Sequence, residues 1–168
     1  GYLLVRLLDP AEQTEDRSTI RLTALGSNIA VVELDGRTVR LSPRHSEIVV
    51  LLSMDPRGLS AGRLAVELSP DDRATMTVRA AMSRLRAALG PEILGSQPYL
   101  LRRPVRSDVG TVRDLLAQGR VAEALSLYPG SLLPDSEAPA IIEQRAAIDQ
   151  QVRGAVLACC GNGKSETS

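Results

Sequence analysis

Thr75-Met76-Thr77-Val78-Arg79-Ala80-Ala81-Met82-Ser83-Arg84-Leu85-Arg86-Ala87-Ala88-Leu89-Gly90 is the stretch on which the fold turns. Val78, Met82, Leu85 and Leu89 recur at helical spacing and can face a core. Thr75, Thr77, Arg79, Ser83, Arg84 and Arg86 point elsewhere, with no acid among them. Gly90-Pro91 ends the helix sharply. A solvent-facing helix usually mixes both charge signs. Hydroxyls and arginines alone suit a surface that meets phosphate or base edges. An ordinary amphipathic helix is the competing reading, and the neighbouring segments decide between them.

Upstream, residues 20–42 read as β-structure. Ile20 to Leu25 alternates and Gly26-Ser27-Asn28 turns. Ala30 to Leu34 and Arg37 to Leu41 then flank Asp35-Gly36, a strong short-range hairpin signal. The result is a small antiparallel sheet with one apolar face. Ser42-Pro43 opens a first helix with cap and first-turn chemistry. Its stripe is Ile48, Leu51 and Leu52, widened by Val49 and Val50, and it stops at Asp55-Pro56-Arg57-Gly58. Ser60 caps a short second helix with Leu64, Ala65 and Leu68 inward. Ser69-Pro70-Asp71-Asp72 turns into the third helix. Downstream of it, Ile93-Leu94 and Tyr99-Leu100-Leu101 can pair across Gly95-Ser96-Gln97-Pro98, with Arg102, Arg103 and Arg106 following. The expected fold is therefore α+β: a small N-terminal antiparallel sheet, three helices and a C-terminal β-hairpin wing, which together describe a winged helix-turn-helix.

From residue 108 the character changes. Val112, Leu115, Leu116, Val121, Ala124, Leu125 and Leu127 fit two short helices around Gly119. A loop, Tyr128-Pro129-Gly130-Ser131-Leu132-Leu133-Pro134, leads to a longer helix from Pro139 to Leu157. The expected organisation is an N-terminal segment and linker (1–19), a winged helix domain (20–106), a short helical extension (107–158) and a polar, disordered tail (159–168). The aliphatic run Gly1 to Leu8 reads as the tail of an upstream domain, a dimer contact or a piece packed on the sheet. It has no basic leader and no cleavage-like site, so it does not read as a signal peptide. Gly1 in place of an initiator Met points to a piece of a longer protein.

Composition narrows the chemistry. The 168 residues hold three Tyr, no Phe and no Trp, so the core is built from Leu, Val, Ile, Ala and Met. Base-stacking on aromatic platforms is disfavoured for the same reason. A duplex reader needs no such platform. The formal net charge is zero but unevenly placed. Residues 1–72 carry 8 Arg against 11 acids, and residues 107–168 carry 4 Arg and one Lys against 8 acids. Between them, residues 73–106 carry 7 Arg against Glu92 alone. A basic island between acidic flanks is the footprint of an anionic partner. Codon usage in a GC-rich genome accounts for an excess of Arg over Lys, but not for its clustering.

Cys159 and Cys160 are neighbours, poorly placed for an ordinary disulfide and without a His cluster for zinc. That usage fits a reducing cytoplasm, and no apolar run approaches the roughly 18 residues a membrane span needs. An enzyme would need a nucleophile–base set, a metal cluster or a phosphate-cradling Gly loop. One His (His45, which reads as a surface or packing residue), adjacent Cys and no Gly-rich fingerprint argue against it. No catalytic residue, cofactor or metal is expected.

Thr75 to Leu89 resembles the recognition helix of OmpR/PhoB-type regulators, with their Thr-Val, variable step and Ser/Arg-Arg-Leu-Arg. Leu25-Gly26, Asp35-Gly36-Arg37, Val39, Leu41, Pro43-Arg44 and the Ile48/Leu51/Leu52 stripe resemble the Streptomyces antibiotic regulatory protein (SARP) branch. Downstream, Gly119 to Leu125, Tyr128-Pro129-Gly130, Leu133-Pro134-Asp135 and Glu143-Gln144-Arg145 resemble the start of the bacterial transcriptional activator domain of that branch. That resemblance covers roughly residues 20–157 and stops after the first helices of the activator domain. The wing departs from the usual Gly-x-Gly-Tyr, reading Gly95-Ser96-Gln97-Pro98-Tyr99.

The resemblance implies sequence-specific recognition of double-stranded DNA, with the third helix in the major groove and the wing on the adjacent backbone or minor groove. Thr75, Thr77, Arg79, Ala80 (to a thymine methyl) and Ser83 are placed for bases. Arg84 and Arg86 are placed for phosphates, and Arg102 and Arg103 for phosphates or the minor groove. A structural ion pair competes for Arg86, and plain solvation for Ser83. Pro70, Asp71 and Asp72 stand where that family's loop meets RNA polymerase, although either Asp could instead cap the third helix. The expected partners are DNA, RNA polymerase and a second copy of the chain, with no membrane. A winged helix serving protein contacts or dimerisation alone is the rival reading.

Overall fold

Alternation along residues 20–40 places one face of a sheet inward. In the computed structural model, which describes residues 18–70 and 74–162, β1 (Ile20–Thr23), β2 (Val31–Leu34) and β3 (Arg37–Arg40) pair antiparallel, with Leu22 opposite Val32 and Val32 opposite Val39. Ile20, Leu22, Val32 and Leu34 are buried, whereas Arg21, Thr23 and Glu33 face out. Asp35 and Gly36 both take positive φ, at 50° and 75°. That is the two-residue turn whose twist matches the strands it joins.

The sheet gains a fourth strand that the sequence reading did not anticipate. β6 (Val105–Ser107) runs parallel to β1, giving the order β3-β2-β1-β6. The Ile20 amide donates to the Pro104 carbonyl at 2.8 Å to start that ladder. The sheet is therefore mixed rather than purely antiparallel. Arg106 belongs to its outer face, and β6 straddles the expected division at residue 106.

Helix α1 (Pro43–Met54) begins where Ser42 accepts from the His45 amide. Its residues Ser46 to Leu52 are all buried, because the second and third helices, the last helix and the hairpin after the third helix pack around it. Ser46 is a small hub: its hydroxyl accepts the Ala30 amide at 2.7 Å and donates to the Ser42 carbonyl at 2.8 Å. Helix α2 (Ala61–Leu68) is capped by Ser60 and turns Leu64, Ala65 and Leu68 inward. Helix α3 (Ala74–Leu89) buries Val78, Ala81, Met82, Leu85 and Leu89, the expected stripe with Ala81 added. Strands β4 (Leu94–Gly95) and β5 (Leu100–Leu101) form the expected hairpin. Leu59, between α1 and α2, pairs with Tyr99 through reciprocal amide–carbonyl bonds of 2.8 and 2.9 Å, which ties the hairpin to the helices.

The extension comprises α4 (Asp108–Ala117), α5 (Val121–Ser126) and α6 (Pro139–Asn162). The Asp108 carboxylate accepts the Ala24 and Leu25 amides at 2.9 and 2.8 Å, just beyond the end of β1. The loop before α6 is fastened back on the sheet and α1. Gly26 donates to the Ser131 carbonyl, Asn28 brackets Asp135, and the Ser136 hydroxyl donates to Glu47 at 2.6 Å. Arg145 gathers the Leu133 and Ser136 carbonyls at 2.5 and 3.0 Å. Leu132, Leu133, Ile141 and Ile148 join the same hydrophobic cluster as Ile20, Ile48 and Leu85, and α6 packs on α1 and α2. Helix α6 continues through Asn162, so residues 159–162, expected to belong to the tail, are helical. Residues 163–168, like residues 1–17, lie outside the described part. Among the described residues no helix is long and apolar enough to cross a membrane.

Candidate nucleic-acid interface

A helix advances about 100° per residue, so the burial of Val78, Met82, Leu85 and Leu89 fixes what α3 shows outward. Opposite the buried stripe stand Met76, Ala80, Ser83 and Ala87, all exposed. One flank carries Thr75, Arg79 and Arg86, and the other Thr77 and Arg84. Thr77, Arg79, Ala80, Ser83 and Arg84 are exposed, whereas Thr75 and Arg86 are half-buried. Met76, which composition and periodicity had not singled out, is 82% exposed. Its signal in the sequence is its angular place opposite Val78 and Leu85 at 100° per residue.

The arginines of α3 have no carboxylate partner among the described residues, whose ion pairs involve Arg44, Arg57, Arg63, Arg103 and Arg120. Arg84 leans back along its own helix, its Nε 3.4 Å from the Ala80 carbonyl oxygen. Arg86 makes no ion pair with α1 or the sheet. Its Nη1 reaches the Ser96 hydroxyl at 3.5 Å, and its Nε is buried without a partner. Arg79 lines a shallow cavity of about 720 Å³ with Ser60 and Ala61 at the start of α2 and Gln97, Pro98 and Tyr99 of the hairpin. The first turn of α2 contributes the positive end of a helix dipole there.

The hairpin arginines separate. Arg102 is exposed beside β4, close enough to Gly95 that a side chain there would meet its Nε at 3.0 Å. Arg103 is drawn the other way. Its Nη1 lies 2.7 Å from Asp35 Oδ1, which ties the bend after the hairpin to the β2–β3 turn. Pro70 is exposed at the end of α2, and Asp71 and Asp72 lie outside the described residues.

His45, in the first turn of α1, is wedged half-buried against α3. Burial holds its imidazole below the ordinary value of 6.5, the neighbouring Arg84 guanidinium lowers it further, and a bond to the Ala81 carbonyl opposes both. The site thus presents hydroxyls, guanidinium groups without a carboxylate partner among the described residues and a short apolar line on one helix. Among the described residues no cluster of His, Cys, Asp and Glu could hold a metal ion.

Over 137 residues the chain is 39% identical to the "Uncharacterized 47.3 kDa protein in thcA 5'region" of Rhodococcus erythropolis. The match covers 82% of this chain and 31% of that protein, so the chain spans about a third of the relative's length. No family model matches the chain, and no solved structure matches it.

Proposed function

We propose that α1, α2, α3 and the β4–β5 hairpin act as a winged helix-turn-helix, and that the chain is a sequence-specific double-stranded DNA-binding regulator of the OmpR/PhoB type, SARP branch. The observation that carries this reading is the outer face of α3. It is acid-free, and its arginines are left without carboxylates among the described residues. A major groove about 12 Å wide admits one helix, and the 16 residues of α3 extend roughly 24 Å. Arg79 and Arg84 project on opposite flanks, so each can meet the phosphates of one groove wall, while Ala80 and Ser83 face the base edges between them. Arg102 reaches the backbone beside the groove, and the start of α2 with Arg79 offers a phosphate seat. Arg103 serves the fold through Asp35.

The same reading makes the chain a bacterial cytoplasmic protein without catalytic activity, and α4–α6 the beginning of a transcriptional activator domain docked on the winged unit. RNA polymerase near Pro70 and a second copy of the chain are its further partners. The test is selection of bound duplexes from a random pool. Enrichment of a shared sequence supports a specific regulator. A flat outcome with salt-insensitive self-association supports a protein-contact module instead.

A further inference from the structure

Met76 has no role in phosphate binding and none in the core. Its side chain stands in solvent from the early part of a polar helix, 82% exposed, while the neighbouring Val78 and Met82 are buried. Ala80, one turn on, is exposed beside it, and Arg79 and Arg84 flank the pair. An apolar side chain held between two cationic grips needs an apolar group on an anionic partner. In the major groove the edges of the base pairs offer one such group, the thymine 5-methyl. Resting on the reading of α3 as the groove helix, we propose that Met76, backed by Ala80, is a specificity-determining residue that selects thymine.

The discrimination has a physical source on both sides. A thymine methyl against the Met76 chain removes apolar surface from water. Cytosine or adenine there would press an amino group against a side chain whose thioether sulfur is only a weak acceptor, and lose hydration with little return. Side chains one turn apart are about 5–6 Å apart, against about 3.4 Å between stacked bases. The contacted thymines therefore fall on adjacent or next-but-one base pairs, where the N-terminal half of α3 enters.

The experiment takes a duplex enriched by the full chain from a random pool and replaces its thymines one at a time with deoxyuridine, which lacks only the methyl. One or two positions should lose affinity about fourfold, the factor expected for one buried methyl. Met76→Ala should lose a similar factor on the thymine duplex and bind the deoxyuridine duplex as well as the unaltered chain does. Met76→Leu should restore the difference. Equal binding of thymine and deoxyuridine duplexes at every position overturns this inference alone, as does an equal loss by Met76→Ala on both duplexes. A chain that enriches nothing overturns both this inference and the groove reading beneath it.

Discussion

At the scale of single residues, the groups that hold the fold and those on the candidate surface are separable. Ser46 is fully buried, and its hydroxyl is the partner of the Ala30 amide. Ser46→Ala should therefore cost about 1–3 kcal/mol, the penalty for orphaning a buried donor, read as a lower urea midpoint at unchanged slope. Ser83→Ala, on an exposed position, should leave that midpoint unmoved. His45 gives a second test. Its folded pKa lies below the ordinary 6.5, so the unfolded chain binds the proton first as pH falls. The His45 contribution to stability is present above 6.5 and is lost as pH drops from there through the depressed folded value. His45→Gln should remove that part of the pH dependence between neutral and mildly acid thermal melts, and an unchanged profile would count against the half-buried placement. The bland expectation for His45 as a packing residue fits its place between two helices. Its contact with α3 could not be read from sequence, because Ala81 and Arg84 are distant along the chain.

At the scale of elements, the chain advertised what is local and concealed what is not. The Asp35-Gly36 turn, the Ser42-Pro43 and Ser60 helix starts and the stripe of α3 all follow from residues a few positions apart. β6 did not, since Val105-Arg106-Ser107 is too short to show alternation and its partner β1 lies far upstream. The extent of α6 was also hidden, because Gly161 reads as a helix end and the small residues before it carry no stripe. For the candidate surface, the charge pattern showed the arginines of α3 but not their sorting. Arg103 found Asp35 across a turn that only the folded chain brings near. Gly58, at a φ of 84°, lies where an added side-chain carbon would sit 2.7 Å from the Tyr99 carbonyl oxygen. Gly58→Ala should break the Leu59–Tyr99 pairing and cost more than about 1 kcal/mol, since positive φ strain adds to the clash. The loss should appear as faster amide exchange at Leu59 and Tyr99. Protection equal to that of the unaltered chain would show that the hairpin is not anchored there.

At the scale of the whole molecule, the extension and the sheet–helix unit share one core. Leu132 and Ile141 are as buried as Ile48 and Leu85, and polar ties through Asp108, Asp135 and Ser136 close the seam. Calorimetry should give one cooperative transition for the chain, and a version cut after Arg106 should lose it, because the cut exposes that face of the core. Two separated transitions would contradict a shared core. This arrangement makes the extension a brace that fixes α1 and, through it, α3. On the reading proposed above, α3 presents arginines without carboxylate partners among the described residues to duplex DNA. The most direct test of that reading is the affinity for an enriched duplex, measured across salt concentrations for the chain and for Arg79→Ala and Arg84→Ala. Binding should weaken steeply with salt, with each variant binding more weakly and flattening the log–log slope by about one. Salt-insensitive retention, or variants that bind as the parent does at every salt concentration, would contradict it.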